Sequence, residues 1–357
     1  MGAPRFTSDD EQVDRLYEAA ADADLQPLWQ LRGLLPAVPD GLGTHVWRWK
    51  VLRELAESSG RLIGIHQGGD RRVLSLSHPG LGGLPFATHT LWGGIQYLNP
   101  GEVAPAHRHS PAALRLVLEG SGVWTLVNGD AIPMQPGDLV LTPSFSWHEH
   151  QNPGDEPMIW FDGLDLPLVR NLDAVFFEDG PGEPTPAGQP ALSDSELRFA
   201  ARGILPAWPA APASAVQPPA SGLHSPLLRY PWADTDRALT ALLERAGTAW
   251  AEVRYADPAT GRDIMPTLRA EMLRIRPEGR TSRRRTAGSA IVVVRSGSGA
   301  SLIGQERCDW SAGDIFVLPS WAAADHHSAE GADLFILSDA PVLEAIGLGR
   351  RQAEDVR

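Results

Sequence analysis

Thiols are almost missing from this chain: Cys308 is the one cysteine in 357 residues. An internal disulfide is therefore impossible, and so is a thiolate metal cluster. Long apolar runs are missing too. No stretch reaches the roughly 18 apolar residues that a membrane-spanning helix needs. Basic residues are in deficit, 31 Lys and Arg against 44 Asp and Glu, for a formal net charge of −13. That balance argues against nucleic acid or an anionic membrane as a partner. The opening residues, MGAPRFTSDDEQ, are polar and acidic and lack the apolar core of an export signal. A lone thiol and no signal give the expectation of a cytoplasmic protein. What the chain does have is a hydrophobic share of 43%, enough to bury real cores, and a length that suits two domains. It also has 11 histidines. A metal here must be held by imidazole or carboxylate.

Residues 8–35 read as a helix, with Ser8, Asp9 and Asp10 at its start and Val13, Leu16, Tyr17, Ala20, Leu25 and Leu28 at helical spacing. Residues 49–58 read as a second, shorter helix. From about residue 72 the period changes to short runs rich in Val, Leu, Ile and Trp between Gly, Pro and Asn, the pattern of an antiparallel sandwich or barrel. Residues 178–226 are dense in Pro, Ala, Gly and Ser and read as an extended connection. A helix is expected over 234–247, and strand-like runs return from 267 to 340. The expected division is a helical N-terminal region (1–70), a β lobe (71–175), a Pro/Ala-rich linker with a helix (176–265) and a second β lobe (266–357).

The second lobe repeats the first. Pro100-Gly101, RLVLEGSG and PGDLVLTPS return as Pro277-Glu278-Gly279, VVVRSGSG and AGDIFVLPS. The offset is 177 residues for the first two blocks and 176 for the last. A constant offset across three blocks indicates duplication of one β-barrel.

Four histidines of the first lobe fall in two places: Gly101-EVAPA-His107-Arg108-His109, and Gly137-DLVLT-Pro143-SFSW-His148-Glu149-His150-Gln151-Asn152. His107 and His109, two apart on a strand, point to one face. A barrel would bring a third imidazole from a neighbouring strand to the same ion. The offset carries His107 to Arg284, His109 to Thr286 and His148 to Ala324, so the second lobe keeps none of these three; His150 maps to His326. One metal is expected per chain, in the first lobe. The run Arg283-Arg284-Arg285 reads as a salt-bridged or solvated patch rather than an anion site.

These glycine, histidine, proline and asparagine spacings resemble the two motifs of the cupins, with two departures. Ala112, Ala113 and Leu114 stand where the first motif has its Glu, and Phe145 replaces the inner Gly of the second. The stretch from Pro100 to Val169, with Trp147-His148-x-His150 and WFDGLD (160–165), further resembles the gentisate and salicylate 1,2-dioxygenases. The likeness continues in RRVLSLSHPGL, MPTLRAE, VLPSWAAADHH and PVLEAIGLGR. It implies a mainly β bicupin: two cupin (jelly-roll) barrels with N-terminal and inter-domain helices. It implies Fe(II) on His107, His109 and His148, and opening of a 2-hydroxybenzoate between its carboxyl-bearing and hydroxyl-bearing carbons with O₂. It also implies a homotetramer.

From the same likeness come His150, Gln96 and Asp162 as residues near the reacting atoms, and Arg115 and Arg71 for the substrate carboxylate. Parity along the strand after His109 independently turns Arg115 to the ligand face. Trp92 is an expected apolar wall, and Arg72 is expected to face outward. Gln67 stands where salicylate-cleaving relatives carry another arginine, which puts the ring substituent in question: gentisate, or a salicylate with a 5-nitro or 5-halo group. Two other readings remain at this point. One is a cupin with another divalent metal acting as isomerase or decarboxylase; the other is a non-catalytic cupin that binds a small acid.

Overall fold

The computed structural model describes residues 11–31, 42–67, 72–180, 185, 191–199 and 223–353. Residues 11–31 belong to a unit of their own, with a helix Glu11–Asp22 and a 3₁₀ turn Leu28–Gln30, where Trp29 Nε1 donates to the Tyr17 hydroxyl. The single helix expected over 8–35 is thus cut short: it ends at Asp22, and Asp24, with φ of 57°, turns the chain before the 3₁₀ turn; the expected cap at Ser8 to Asp10 lies outside the described residues. Among the described residues, no helix is long and apolar enough to cross a membrane.

From Leu42 onward the chain builds two antiparallel barrels. The first has two sheets. One runs, in spatial order, Arg229–Tyr230, Leu139–Thr142, Ala113–Glu119, Met158–Leu164, Trp92–Leu98 and Val73–Ser75. The other runs Phe177–Asp179, Val103–His109, His148–Gln151, Trp124–Val127 and Asp130–Pro133. The second barrel has the same order. There the long strand Ala290–Ile303 passes through both layers and joins them into one sheet. Alternation of apolar and turn residues made these strands visible in the sequence.

Strand pairing adds something the sequence did not reveal. Val46–Trp47 precedes the first barrel but pairs with Ile315–Leu318 of the second. Arg229–Tyr230 precedes the second barrel but pairs with Leu139–Thr142 of the first. Each short strand is followed by a helix, Trp49–Leu62 or Trp232–Ala246, close to the two expected. A buried aspartate fixes each helix start: the Asp314 carboxylate accepts the Trp49 N–H at 2.8 Å, and that of Asp138 accepts the Trp232 N–H at 2.9 Å. Gly313 and Gly137 precede those aspartates, where an added Cβ would strike Trp49 or Trp232 within 3 Å. The duplicated unit is thus a strand, a helix and a barrel, with the strands exchanged. The span read as a linker also holds Phe177–Asp179, paired to the first barrel, and Trp250–Arg254, paired to the second.

The barrels also clasp each other reciprocally. The Thr90 hydroxyl donates to Asp339 at 2.5 Å, and Thr267 donates to Asp165 at 2.5 Å. The same aspartates accept backbone N–H groups of Ser289 (3.0 Å) and Ala112 (2.8 Å). Phe161 and Phe335 meet edge to face at 6.5 Å between these clasps. Burial raises the carboxyl pKa of both aspartates, that of Asp165 to about 6, so each hydroxyl matters.

Removing a donor from a buried carboxylate costs about 1–3 kcal/mol. Asp339 also contacts the Ser289 hydroxyl at 3.2 Å, a support that Asp165 lacks. Thr267→Val is therefore expected to lower the urea midpoint more than Thr90→Val. Equal or reversed losses would contradict the reciprocal clasp as described.

Candidate active site

His107 and His109 lie on Val103–His109, and His148 and His150 on the adjacent strand His148–Gln151. The register between these strands slips by one residue between Ala104 and His107. This bulge re-aims the His107 end of the strand. The ligating nitrogens of His107, His109 and His148 come within 4.8 Å of one another.

Hydrogen bonding decides which nitrogen each ring presents. His107 Nδ1 lies 3.0 Å from the Pro105 carbonyl, His109 Nδ1 2.7 Å from that of Pro111, and His148 Nδ1 3.0 Å from that of Ser146. A carbonyl only accepts, so all three Nδ1 atoms carry the hydrogen and all three Nε2 atoms keep a lone pair. His148 Nε2 is buried and has no hydrogen-bond partner. Burial, reinforced by neighbouring cationic and imidazole groups, pushes the pKa of His148 well below its ordinary value; burial brings His109 to about 4. Neutral imidazoles with converging lone pairs suit a divalent metal. With no carboxylate in the set, the charge of such an ion would be left for anionic oxygens of a substrate to balance.

A cavity of about 360 Å³ opens beside this cluster. Trp92, Gln96, Arg115, His150 and Asp162 line it together with His107 and His109. Arg115 sits directly opposite Asp162 in neighbouring strands, with Nε 3.1 Å from Oδ1, and its Nη1 donates to the Thr142 hydroxyl. Both are about 5% exposed. Burial raises the Asp162 carboxyl to about 6 against the opposing pull of Arg115. Gln96 is buried, yet its amide makes no hydrogen bond among the described residues. Trp92 braces its indole N–H on the Ser75 hydroxyl at 3.1 Å.

His150 Nδ1 is 2.7 Å from the Thr125 hydroxyl oxygen, which is itself 3.0 Å from Met134 Sδ. Both contacts are attractive only if Thr125 donates to the sulfur and accepts from Nδ1–H. His150 Nε2 is then the basic nitrogen of a residue that lines the cavity.

One expected residue does not join this group, and another lies outside the described residues. Gln67 is exposed, turns its side chain back to accept the Gly64 N–H at 3.2 Å, and is not among the residues lining the cavity. Arg71 is outside the described residues. Arg72, expected to face outward, is instead buried; it ion-pairs with Glu102 and donates to the Ile63 and Tyr97 carbonyls. The paired carboxylate and two carbonyls compensate for the buried guanidinium, which parity along a short strand does not reveal. Sequence reasoning also missed Phe176 and Phe177, which line the cavity mouth; Phe177 stacks on His107 at 5.5 Å. Their aromatic doublet just after the first β lobe was the available signal. The Arg283 to Arg285 run is salt-bridged as expected, with Arg283 on Asp325 and Arg284 on Glu252.

The fold and site together define a bicupin with a three-imidazole cluster in one barrel only. The cupin domain family matches residues 94–164. A gentisate 1,2-dioxygenase of a Streptomyces species is 47% identical over 348 residues, covering 95% of this chain and 94% of the relative. A 5-aminosalicylate 1,2-dioxygenase of a Comamonas species is 32% identical, covering 99% and 93%. The solved salicylate 1,2-dioxygenase of Pseudoaminobacter salicylatoxidans, an adduct with gentisate, superposes with a TM-score of 0.90 at 41% identity, over 98% of this chain and 96% of that one. The chain belongs to the gentisate and salicylate 1,2-dioxygenase family of ring-cleaving dioxygenases. The isomerase, decarboxylase and binding-protein readings fall away with that membership.

Phe145, at the inner Gly position of the second cupin motif, has φ of 62°, and its counterpart Trp321 has φ of 63°. Left-handed backbone costs a residue with a Cβ about 1–2 kcal/mol. Phe145→Gly is expected to stabilise the fold by about 1 kcal/mol, read as a higher urea midpoint. A lower midpoint would show that contact with Phe176, 5.8 Å away, outweighs the relief.

Proposed function

We propose that this chain is an Fe(II)-dependent dioxygenase that uses O₂ to open a 2-hydroxybenzoate between its carboxyl-bearing and adjacent hydroxyl-bearing carbons. The observation that carries the reading is the set of three Nε2 lone pairs, fixed by backbone carbonyls, beside the Gln96 amide and the buried Arg115 guanidinium that line the same cavity. His107, His109 and His148 would hold the iron, which would supply a Lewis-acidic, redox-active centre for the substrate oxygens and O₂.

The remaining roles belong to side chains. Arg115 is held on two sides by Asp162 and Thr142, which leaves Nη2 for the substrate carboxylate. In a cavity of low dielectric that charge match is strong and orients the ring. The Gln96 amide hydrogen-bonds the bound substrate or O₂. His150 Nε2 takes and returns a proton at the substrate hydroxyl, its ring held by Thr125. Trp92 walls the apolar face of the ring. Asp162 is a positioning residue acting through Arg115. Arg71 is assigned to the carboxylate on resemblance alone.

The substrate class is gentisate or a 5-substituted salicylate, since relatives named for gentisate, salicylate and 5-aminosalicylate all match over most of this chain. The family likeness gives the expectation of a homotetramer, and the lone Cys308 thiol that of a reducing, cytoplasmic setting.

Two measurements test this reading. After anaerobic reconstitution with Fe(II), oxygen uptake is expected with at least one of gentisate, salicylate, 5-nitrosalicylate, 5-chlorosalicylate and 1-hydroxy-2-naphthoate. His148→Ala is expected to lose both bound iron and uptake; full turnover in iron-free protein would overturn the assignment. Gln96→Leu removes an amide that no described protein group uses. It is expected to leave stability within about 0.5 kcal/mol while cutting kcat/KM at least about tenfold. A large stability loss with unchanged kcat/KM would make Gln96 a structural residue.

A further inference from the structure

His78 is a buried histidine that the ring-cleaving site does not use. It lies between the strands Val73–Ser75 and Trp92–Leu98 and is 4% exposed. Both of its ring nitrogens are committed. Nδ1 accepts the Gly80 N–H at 3.0 Å, and Nε2 lies 3.0 Å from the Gly43 carbonyl. With Nδ1 taken as an acceptor, the ring hydrogen sits on Nε2 and is donated to Gly43. Only a neutral imidazole can make both bonds. A proton added at Nδ1 would set donor against donor at Gly80.

What the ring holds is the start of the exchanged leading strand. Just after Gly43, the Thr44 hydroxyl donates to the Val317 carbonyl at 2.9 Å, and the His45 carbonyl accepts the Val317 N–H at 3.1 Å. Val46–Trp47 then pairs with Ile315–Leu318. His78 thus ties back to the first barrel the segment that seals the second.

The surroundings do not favour a charged ring. His45 faces it from the leading strand, 5.5 Å away between ring centroids, and His89 acts on it from the turn before Trp92. No carboxylate among the described residues acts on it. Burial, with these two imidazoles, lowers its pKa against the support of the Gly43 carbonyl.

We propose that His78 is an acid-released latch: its neutral ring fastens the leading strand at Gly43, and protonation frees that end and uncovers the edge of Ile315–Leu318. The closed latch binds a proton less readily than the open one, whose imidazole has the ordinary pKa near 6.5. Opening is therefore favoured as pH falls below about 6.5 and is indifferent to pH well above it. The latch does not depend on the reaction proposed for the first barrel.

Amide hydrogen exchange of the full-length, iron-loaded protein, corrected for the intrinsic effect of pH on exchange, reads the opening. From pH 7.5 to 5.5 the opening constant is expected to rise about tenfold at residues 43–47 and at Ile315–Leu318. The other exchanged pair, Arg229–Tyr230 on Leu139–Thr142, has no histidine bonded to it among the described residues and is expected to show no such rise. His78→Gln still offers an amide N–H to Gly43 but cannot be protonated, so the rise is expected to shrink to below about threefold. A larger rise in that variant would pass the effect to His45 and overturn the proposal. So would the absence of a rise in the wild type, or an equal rise at both exchanged strands. Should His78→Gln fail to fold, the wild-type contrast between the two exchanged strands decides alone.

Discussion

Leu139–Thr142 in the first barrel and Ile315–Leu318 in the second each have one edge paired within their own barrel and the other covered by a two-residue strand from the opposite repeat. An uncovered strand edge leaves backbone donors and acceptors unpaired and invites wrong partners. Both barrels therefore depend on the exchange. Asp138 and Asp314 secure it, since each accepts the first N–H of the helix that follows the exchanged strand and also binds an arginine of the incoming segment, Arg229 or Arg48. The Thr90–Asp339 and Thr267–Asp165 bonds then hold the barrels in one orientation. Asp165, which Thr267 bonds across the repeats, also accepts the Ala112 N–H, three residues beyond His109, so this contact reaches the segment next to the histidine cluster.

Within the first barrel the decisive features are small. Three backbone carbonyls, each two residues from its histidine, orient three rings without a carboxylate. Arg115 and Asp162 face each other at 3.1 Å in a buried setting, and each offsets part of the other's burial cost. The bulge between Ala104 and His107 departs from regular pairing where the His107 ring turns toward His109 and His148. In the second barrel the corresponding positions carry Arg284, Thr286 and Ala324, and lone-pair donors give way to an arginine ion-paired with Glu252.

Much of this was legible in the sequence, for identifiable reasons. The duplication was visible because turn glycines and prolines must recur wherever the backbone recurs. His107, His109 and His148 were visible because strand parity and the motif spacing agree, and Arg115 followed by the same parity. What escaped detection has little pattern of its own. Val46–Trp47 and Arg229–Tyr230 are too short to show alternation. Arg72 looked outward because nothing in the sequence next to it announces Glu102 as its partner. Thr125 and Met134 look like ordinary core residues, and only their distances to His150 give them a role. Gln67 was judged by its place relative to Arg71, but a local hydrogen bond to Gly64 settles where its side chain goes.

The exchange also sets a timetable. The Thr44 hydroxyl bonds the Val317 carbonyl across 273 residues of chain, and Arg48 reaches Asp314 across 266. As the chain leaves the ribosome, the first barrel has its own strands by Asp179 but waits for Arg229–Tyr230 to seal its edge. The leading strand waits for nearly the whole second barrel. Contacts this distant in sequence are slow to form, because loop closure must precede any gain from pairing. Until they form, two exposed sheet edges are open to another copy's strands, which makes the nascent chain's most vulnerable period the one between its two halves.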